Sequence, residues 1–302
     1  MVGFLKKAKD LMPQRSVRYL LHKHMSGYDK ARPLSRVHAS ELTKPEGLCP
    51  RMYALADATK FKPKDPWLTT SQAMTFQIGR DQERNLVNWF ADMGKAVCHW
   101  KCIACGRLHE FQTRPVACAA CGVKAFEPRE VRFESAVSGA SCGVDMLLSL
   151  GEPKLRPVEI KTMDKDEFKA LKAPLAEHRW RTNLYLRLIA ESDHSWSSLV
   201  ATDAATIIYI SKGGYGCADP ELKKWGLTEQ YSPFKEFEVK RDDKETDDLV
   251  KRAKAIKDFR EGKAGMPAGI CATAMSKRAQ TCPLKAACFG GDHPPVYEWN
   301  DQ

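Results

Sequence analysis

The sequence predicts an α/β fold whose core runs in the order helix, three-stranded meander, helix, strand. Three observations support this prediction: a long stretch with apolar residues at helical spacing, a region of short apolar segments separated by Gly- and Pro-containing turns, and a second amphipathic stretch before a final apolar run. A chain of 302 residues with 43% hydrophobic residues can bury a full core. We therefore expect one large domain or two modest ones.

Each element follows from its local pattern. Apolar residues recur every three or four positions in the helical segments, whereas the strand segments are short, apolar and bounded by turn residues. The charged stretch 240–262 is typical of a surface helix, and no internal repeat is present. The predicted core elements are a helix over 70–93, strands over 131–139, 142–150 and 156–163, a helix over 174–192 and a strand over 205–212.

The charge is strongly positive and unevenly placed. The net charge is +10, and residues 1–40 contribute nine Lys or Arg against two Asp, which is +7 of that total. Their apolar positions predict two short amphipathic helices broken near Pro13. Such a segment suits nucleic acid, a protein partner or an acidic membrane surface, and a solvated arm explains it equally well.

The sequence also indicates the compartment. No stretch approaches the roughly 20 apolar residues of a transmembrane helix, and the N-terminus lacks the apolar core of a secretory signal. We expect a cytoplasmic protein, in a bacterium or a virus-infected host cell, with no membrane partner. The 11 cysteines are then expected to be metal ligands, cluster ligands or buried thiols rather than disulfides.

Four of these cysteines form two CxxC pairs separated by 12 residues. Two such knuckles fit tetrahedral Zn²⁺ bound by four thiolates, and a glycine after each second cysteine permits the tight turn. A structural zinc ribbon is favoured over a redox dithiol pair. The predicted zinc ligands are Cys102, Cys105, Cys118 and Cys121.

Charged residues interrupt two of the predicted strands. Asp145 lies in an apolar segment, and Glu159 and Lys161 point to one face of the next strand because strand side chains alternate. In a hairpin, Asp145 would face Glu159, and two converging carboxylates repel unless a divalent cation such as Mg²⁺ or Mn²⁺ lies between them. The lysine would then orient or deprotonate a water, or stabilise negative charge, in phosphodiester hydrolysis. A solvated hairpin is the alternative.

The pattern of Asp145 followed by Val158-Glu159-Ile160-Lys161-Thr162 resembles the PD-(D/E)XK nuclease superfamily, whose restriction-endonuclease-like core has the predicted element order. The resemblance implies that Glu159 and Asp145 bind Mg²⁺ or Mn²⁺ with Ile160, and that Lys161 is catalytic. Gly79 and Glu83 resemble a glycine followed by His or Glu on the preceding helix of the RecB and lambda-exonuclease branches, with Glu83 the lambda-like choice. This resemblance implies that Glu83 is a further metal ligand.

The second helix extends this resemblance. RecB-like nucleases often carry His-x2-Gln-x3-Tyr there, and this chain has His178, Arg181 and Tyr185. Arg181 departs from the usual glutamine. These three residues lie on roughly one helical face, and the resemblance implies that they support the catalytic lysine or contact DNA.

One cysteine before the core and three after it resemble the iron–sulfur branch of RecB-like nucleases, including AddB-type and CRISPR-adaptation exonucleases. The resemblance implies a 4Fe-4S cluster that joins the two ends of the domain. A second zinc site or buried thiols is the alternative. The implied cluster ligands are Cys49, Cys271, Cys282 and Cys288.

We thus expect a metal-dependent DNA exonuclease of recombination, repair or end processing, of a size compatible with a phage-encoded enzyme. The alternatives are a non-catalytic zinc-ribbon nucleic-acid-binding protein and a restriction-type endonuclease on the same fold. A P-loop motif is absent from the sequence, so any helicase or recombination protein would be a separate partner. The expected domains are a basic arm over 1–44, a nuclease domain over 45–97 and 127–302, and a zinc-ribbon insertion over 98–126.

Overall fold

A computed structural model describes residues 16–44, 47–214 and 216–290. The chain divides into two units, Met1–Pro33 with Lys62–Gln82, and Leu34–Phe61 with Glu83–Gln302. The elements in chain order are α1 Val17–Met25, β1 Gly27–Tyr28, β2 Val37–His38, α2 Ala39–Leu42, α3 Pro50–Thr59, β3 Trp67–Leu68, α4 Thr70–Asp92, β4 Ala96–Cys102, β5 Leu108–Gln112, β6 Phe126–Arg129, β7 Val131–Glu134, β8 Ala140–Val144, β9 Met146–Leu148, β10 Arg156–Met163, α5 Lys165–Ala170, α6 Ala176–Ala190, β11 Ala204–Ser211, β12 Cys217–Ala218, α7 Pro220–Lys224, β13 Tyr231–Ser232, β14 Phe234–Lys240, α8 Asp243–Arg260, α9 Lys277–Gln280 and α10 Lys285–Phe289.

The first unit contains α1 and a two-stranded ribbon of β1 and β3. Ser16 caps α1 by accepting the Tyr19 amide at 3.4 Å, and Tyr28 stands opposite Trp67 with their ring centroids 5.0 Å apart. None of the described residues of this unit is fully buried. The predicted break near Pro13 lies outside the described residues.

The second unit is built on a seven-stranded sheet in the order β14-β11-β10-β9-β4-β5, with β6 also pairing with β4. Only β10 and β11 are parallel in this sheet. Parallel neighbours need a long crossover, and α5 and α6 provide it. The crossover carries α6 against β11, so side chains of α6 reach the residues of the two parallel strands.

The second predicted strand, 142–150, is divided at Asp145. β8 ends at Val144 and pairs with β7 and β2 in a separate three-stranded sheet, whereas β9 pairs with β10. The Asp145 carboxylate accepts the Ile160 amide at 2.7 Å, so a side chain supplies the acceptor where the strand pairing breaks. The other predicted strand over 131–139 is shorter, ending at Glu134.

The remaining core elements agree with the sequence-based bounds to within three residues. The core of the second unit contains side chains from α4, the sheet and α6, including the fully buried Trp100, Leu147, Leu184 and Ile189. The mixed α/β class is therefore confirmed. In the part of the chain that the structure describes, none of the helices combines the length and the hydropathy that a membrane crossing requires.

Candidate active site and cysteine clusters

Asp145 sits where β8 gives way to β9, beside the middle of β10. Burial, followed by the nearby carboxylates of Glu159 and Glu83, raises the pKa of Asp145 well above its usual range. Lys161 and the Ile160 amide oppose this shift. Glu159 and Glu83 thus both act on Asp145 and make its ionisation less favourable.

Glu159 and Lys161 project from the same face of β10. Lys161 Nζ lies 2.5 Å from Glu159 Oε1 and donates to the Ile160 carbonyl at 3.1 Å. The Glu159 side chain is only 3% exposed, and its second oxygen, Oε2, is buried without a hydrogen-bond partner among the described residues. A buried carboxylate oxygen without a donor is costly unless a cation or a proton satisfies it.

The charge state of Lys161 follows from these neighbours. Burial is the largest single influence and lowers the pKa of Lys161, but Glu159 and Asp145 together outweigh it and raise the pKa above its ordinary value. The ammonium form is therefore favoured at neutral pH. This side chain is suited to hydrogen-bond donation and to charge stabilisation.

Helix α6 contributes one charged and two neutral groups. Arg181 Nη1 lies 4.0 Å from Glu159 Oε1. Tyr185 is buried, and burial, together with Glu159 and Asp145, raises its pKa, so it stays a phenol. Burial, with Lys161 and Arg181, lowers the pKa of His178 to about 4, so its imidazole is neutral at pH 7.

Tyr209 holds His178 in place, and sequence reasoning did not single it out. Its hydroxyl accepts the Leu175 amide at 3.0 Å and lies 2.9 Å from His178 Nδ1. A neutral His178 can accept a hydrogen bond from the Tyr209 hydroxyl at Nδ1. The register of β10 and β11 places Tyr209 opposite Lys161, and strand alternation predicts that such neighbours share a face.

The four cysteines of the predicted zinc ribbon come together. Each knuckle repeats one geometry: the amide of Gly106 donates to the Cys102 carbonyl at 3.0 Å, and that of Gly122 to the Cys118 carbonyl at 2.8 Å. Both glycines have positive φ, 75° and 73°, which other residues adopt at a cost. The Sγ atoms of Cys102, Cys105, Cys118 and Cys121 all lie within 4.8 Å of one another.

This spacing and donor set fit a single metal ion. Amides in the second knuckle, foremost that of Ala120, and the His109 side chain lower the pKa of Cys118 to about 5, which favours the ligating thiolate. His109 Nε2 lies 3.4 Å from Cys118 Sγ. Sequence spacing gave no signal for His109, because it lies outside both CxxC pairs.

In the part of the chain that the structure describes, this is the one group of three or more potential ligands with such close ligand atoms. Glu83, Asp145 and Glu159 are spaced more widely. Their oxygen donors nevertheless suit Mg²⁺ or Mn²⁺, and Glu159 Oε2, which is buried without a partner among the described residues, would offer such an ion a buried ligand.

The predicted cluster cysteines are also neighbours. Burial is the largest cause that raises the pKa of Cys271 and of Cys282, and Cys49 and Cys288 raise both further. Arg278 opposes the shift at Cys271, and a backbone hydrogen bond with Leu284 opposes it at Cys282. Cys49 precedes α3, α3 packs on α10, which bears Cys288, and Arg51 Nε donates to the Pro267 carbonyl at 3.2 Å. Each cysteine ligand of a 4Fe-4S cluster binds a different iron, so such ligands stand further apart than those of a single metal ion. The arrangement of these four cysteines is compatible with a cluster of this kind.

No family model matches the chain, and neither does any curated protein. Solved structures similar to it include the crystal structure of SSO0001, at 13% identity and TM-score 0.37, which covers 94% of this chain and 97% of that one. An alkaline exonuclease, LHK-Exo, from Laribacter hongkongensis has 10% identity and TM-score 0.41, and the match covers 76% of this chain and 91% of that one. LHK-Exo in complex with dAMP has 12% identity and TM-score 0.40, and the match covers 76% of this chain and 90% of that one. All three identities and TM-scores are low.

Proposed function

We propose that this protein is a metal-dependent DNA exonuclease of the PD-(D/E)XK type, in the iron–sulfur RecB-like branch, acting in recombination, repair or DNA end processing. The observation that carries the proposal is the buried Glu159 carboxylate: one oxygen lies 2.5 Å from Lys161 Nζ, and the other has no hydrogen-bond partner within 16–44, 47–214 and 216–290. A solvated hairpin would leave both oxygens to water, so burial favours a built site over surface charge.

The metal ligands in this proposal are Glu83, Asp145, Glu159 and the Ile160 carbonyl. When bound, Mg²⁺ or Mn²⁺ would polarise the phosphate and make a water more acidic. The Ile160 amide orients Asp145 by donating to Oδ2, which leaves Oδ1 available as a ligand. Burial and the neighbouring carboxylates raise the pKa of Asp145, and a nearby cation would offset both by stabilising its ionised form.

Lys161 acts as a charged donor in this reaction. Its raised pKa argues against proton abstraction and favours orienting the attacking water and stabilising charge on the phosphorane-like transition state. A bond forms between the water oxygen and phosphorus while one phosphoester bond breaks. The water loses a proton and the leaving oxygen gains one, so hydrolysis is balanced without a redox partner.

The two cysteine sets have structural roles in this proposal. Cys102, Cys105, Cys118 and Cys121 hold Zn²⁺ in an insertion that contacts DNA. The set that includes Cys49 and the three later cysteines holds a 4Fe-4S cluster that joins the two ends of the nuclease domain. Strand separation would require a separate helicase or recombination protein.

A digestion of end-labelled linear DNA with Mg²⁺ or Mn²⁺ tests the function. Asp145→Asn and Lys161→Ala should abolish nucleotide release, whereas Asp166→Asn and Lys169→Ala, which alter exposed residues of α5, should retain the parental rate. Parental activity in either site variant would refute the assignment. DNA binding without cleavage under any divalent ion would instead favour the zinc-ribbon binding protein.

The same assay on closed circular DNA separates the nuclease alternatives. An exonuclease needs an end and should leave the circle intact. Cleavage of the circle at rates matching the linear substrate would favour the restriction-type endonuclease.

A further inference from the structure

Arg181 is a second cation directed at the same carboxylate as Lys161. Its Nη1 lies 4.0 Å from Glu159 Oε1, while the ammonium of Lys161 lies 2.5 Å from that oxygen. The Arg181 side chain is 21% exposed, so water screens its charge only in part. It occupies the helix position where the RecB-like pattern has an uncharged glutamine.

The charges at this site limit what else it can bind. With all three carboxylates ionised, as metal binding requires, Glu83, Asp145 and Glu159 together with the cations Lys161 and Arg181 carry a net charge of −1. One divalent ion brings the sum to +1. A second would bring it to +3, and close like charges in a poorly solvated site repel strongly.

The guanidinium of Arg181 has unused donor capacity. Its Nε is buried without a hydrogen-bond partner among the described residues. Guanidinium groups pair well with phosphate, because their fixed N–H fork matches two phosphate oxygens. The neighbouring His178 is neutral and Tyr185 is a phenol, so Arg181 supplies the positive charge on this face of α6.

We propose that the acidic site holds one divalent ion and that Arg181 takes the place of a second ion by binding the scissile phosphate. This inference rests on the proposed nuclease function. In two-metal nucleases a second ion stabilises the leaving oxygen or the phosphate charge. Here the protein carries a permanent charge for the same purpose.

Manganese stoichiometry tests the inference without measuring activity. Free Mn²⁺ is quantified by electron paramagnetic resonance during titration of the full-length protein, and ions bound elsewhere are subtracted with Asp145→Asn. We expect one Asp145-dependent Mn²⁺ in the parental protein and two in Arg181→Gln. Arg181→Lys keeps the charge and should return the count to one, which separates a charge effect from a folding defect.

Arg179→Gln is the matched control. Arg179 lies two residues earlier on α6, pairs with Glu245 at 2.7 Å and is 40% exposed. Its removal should leave the count at one.

Each departure from these counts has a distinct meaning. Two Asp145-dependent ions in the parental protein, or one in Arg181→Gln, would overturn the inference and leave the proposed function standing. No Asp145-dependent ion in the parental protein would overturn both. With Ca²⁺ present, Arg181→Gln should also weaken binding of a dT10 oligonucleotide at least tenfold relative to Arg179→Gln, and equal affinities would refute the phosphate contact.

Discussion

Replacing Lys161 should lower the free energy of unfolding much more than replacing its ion-pair partner Glu159. Lys161→Met leaves the Glu159 carboxylate, 3% exposed, close to that of Asp145 with less positive charge to offset their repulsion. Breaking a buried ion pair in this way costs about 3–5 kcal/mol. Lys161 is 21% exposed and Arg181 remains 4.0 Å from the same oxygen, so we expect the lower end, about 3 kcal/mol.

Glu159→Gln should cost less than about 1 kcal/mol, because it removes a repulsive carboxylate while Lys161 keeps the attraction of Asp145. Urea unfolding in buffer without added divalent ions measures both values, with the exposed Lys169→Met as a control expected within about 0.5 kcal/mol of the parent. Equal losses from Lys161→Met and Glu159→Gln would refute this account of the site's electrostatics.

Three further predictions concern titration and the cysteine sets. The pKa of His178 in the folded state is about 4, against an ordinary 6.5. The stability that the neutral imidazole contributes is therefore complete above pH 6.5 and is lost as pH falls toward 4. This stability amounts to about 3 kcal/mol. The free energy of unfolding, measured across this pH range, should therefore change less with pH in His178→Asn than in the parental protein. Cys118→Ser should release the zinc, by metal analysis, while visible iron–sulfur absorption persists; loss of both would contradict separate sites. Cys282→Ser should remove that absorption and retain zinc, and a colourless parental protein purified anaerobically would defeat the cluster proposal.

The sequence predicted elements where the pattern is local. Helical spacing gave α4 and α6, and the β10 bounds of 156–163 were predicted without error, because these segments have clear periodicity or turn residues at both ends. The CxxC pairs could also be recognised from the sequence alone, since each knuckle is closed by its own backbone and one glycine.

Features that depend on tertiary contact could not be predicted. The division of 142–150 at Asp145 depends on the Ile160 amide, 15 residues away along the chain. The approach of His109 to Cys118 and of Tyr209 to His178 likewise depends on packing between separate elements. Arg181 was noted as a departure from a pattern, but its distance from Glu159 could come only from the folded chain.

The most direct test of the central claim is the release of nucleotides from end-labelled linear DNA by the parental protein and by Asp145→Asn, with Asp166→Asn as control. We expect release with Mg²⁺ or Mn²⁺ from the parental protein and from Asp166→Asn, and none from Asp145→Asn. Release by Asp145→Asn at the parental rate would contradict an acidic metal site at the point where β8 gives way to β9.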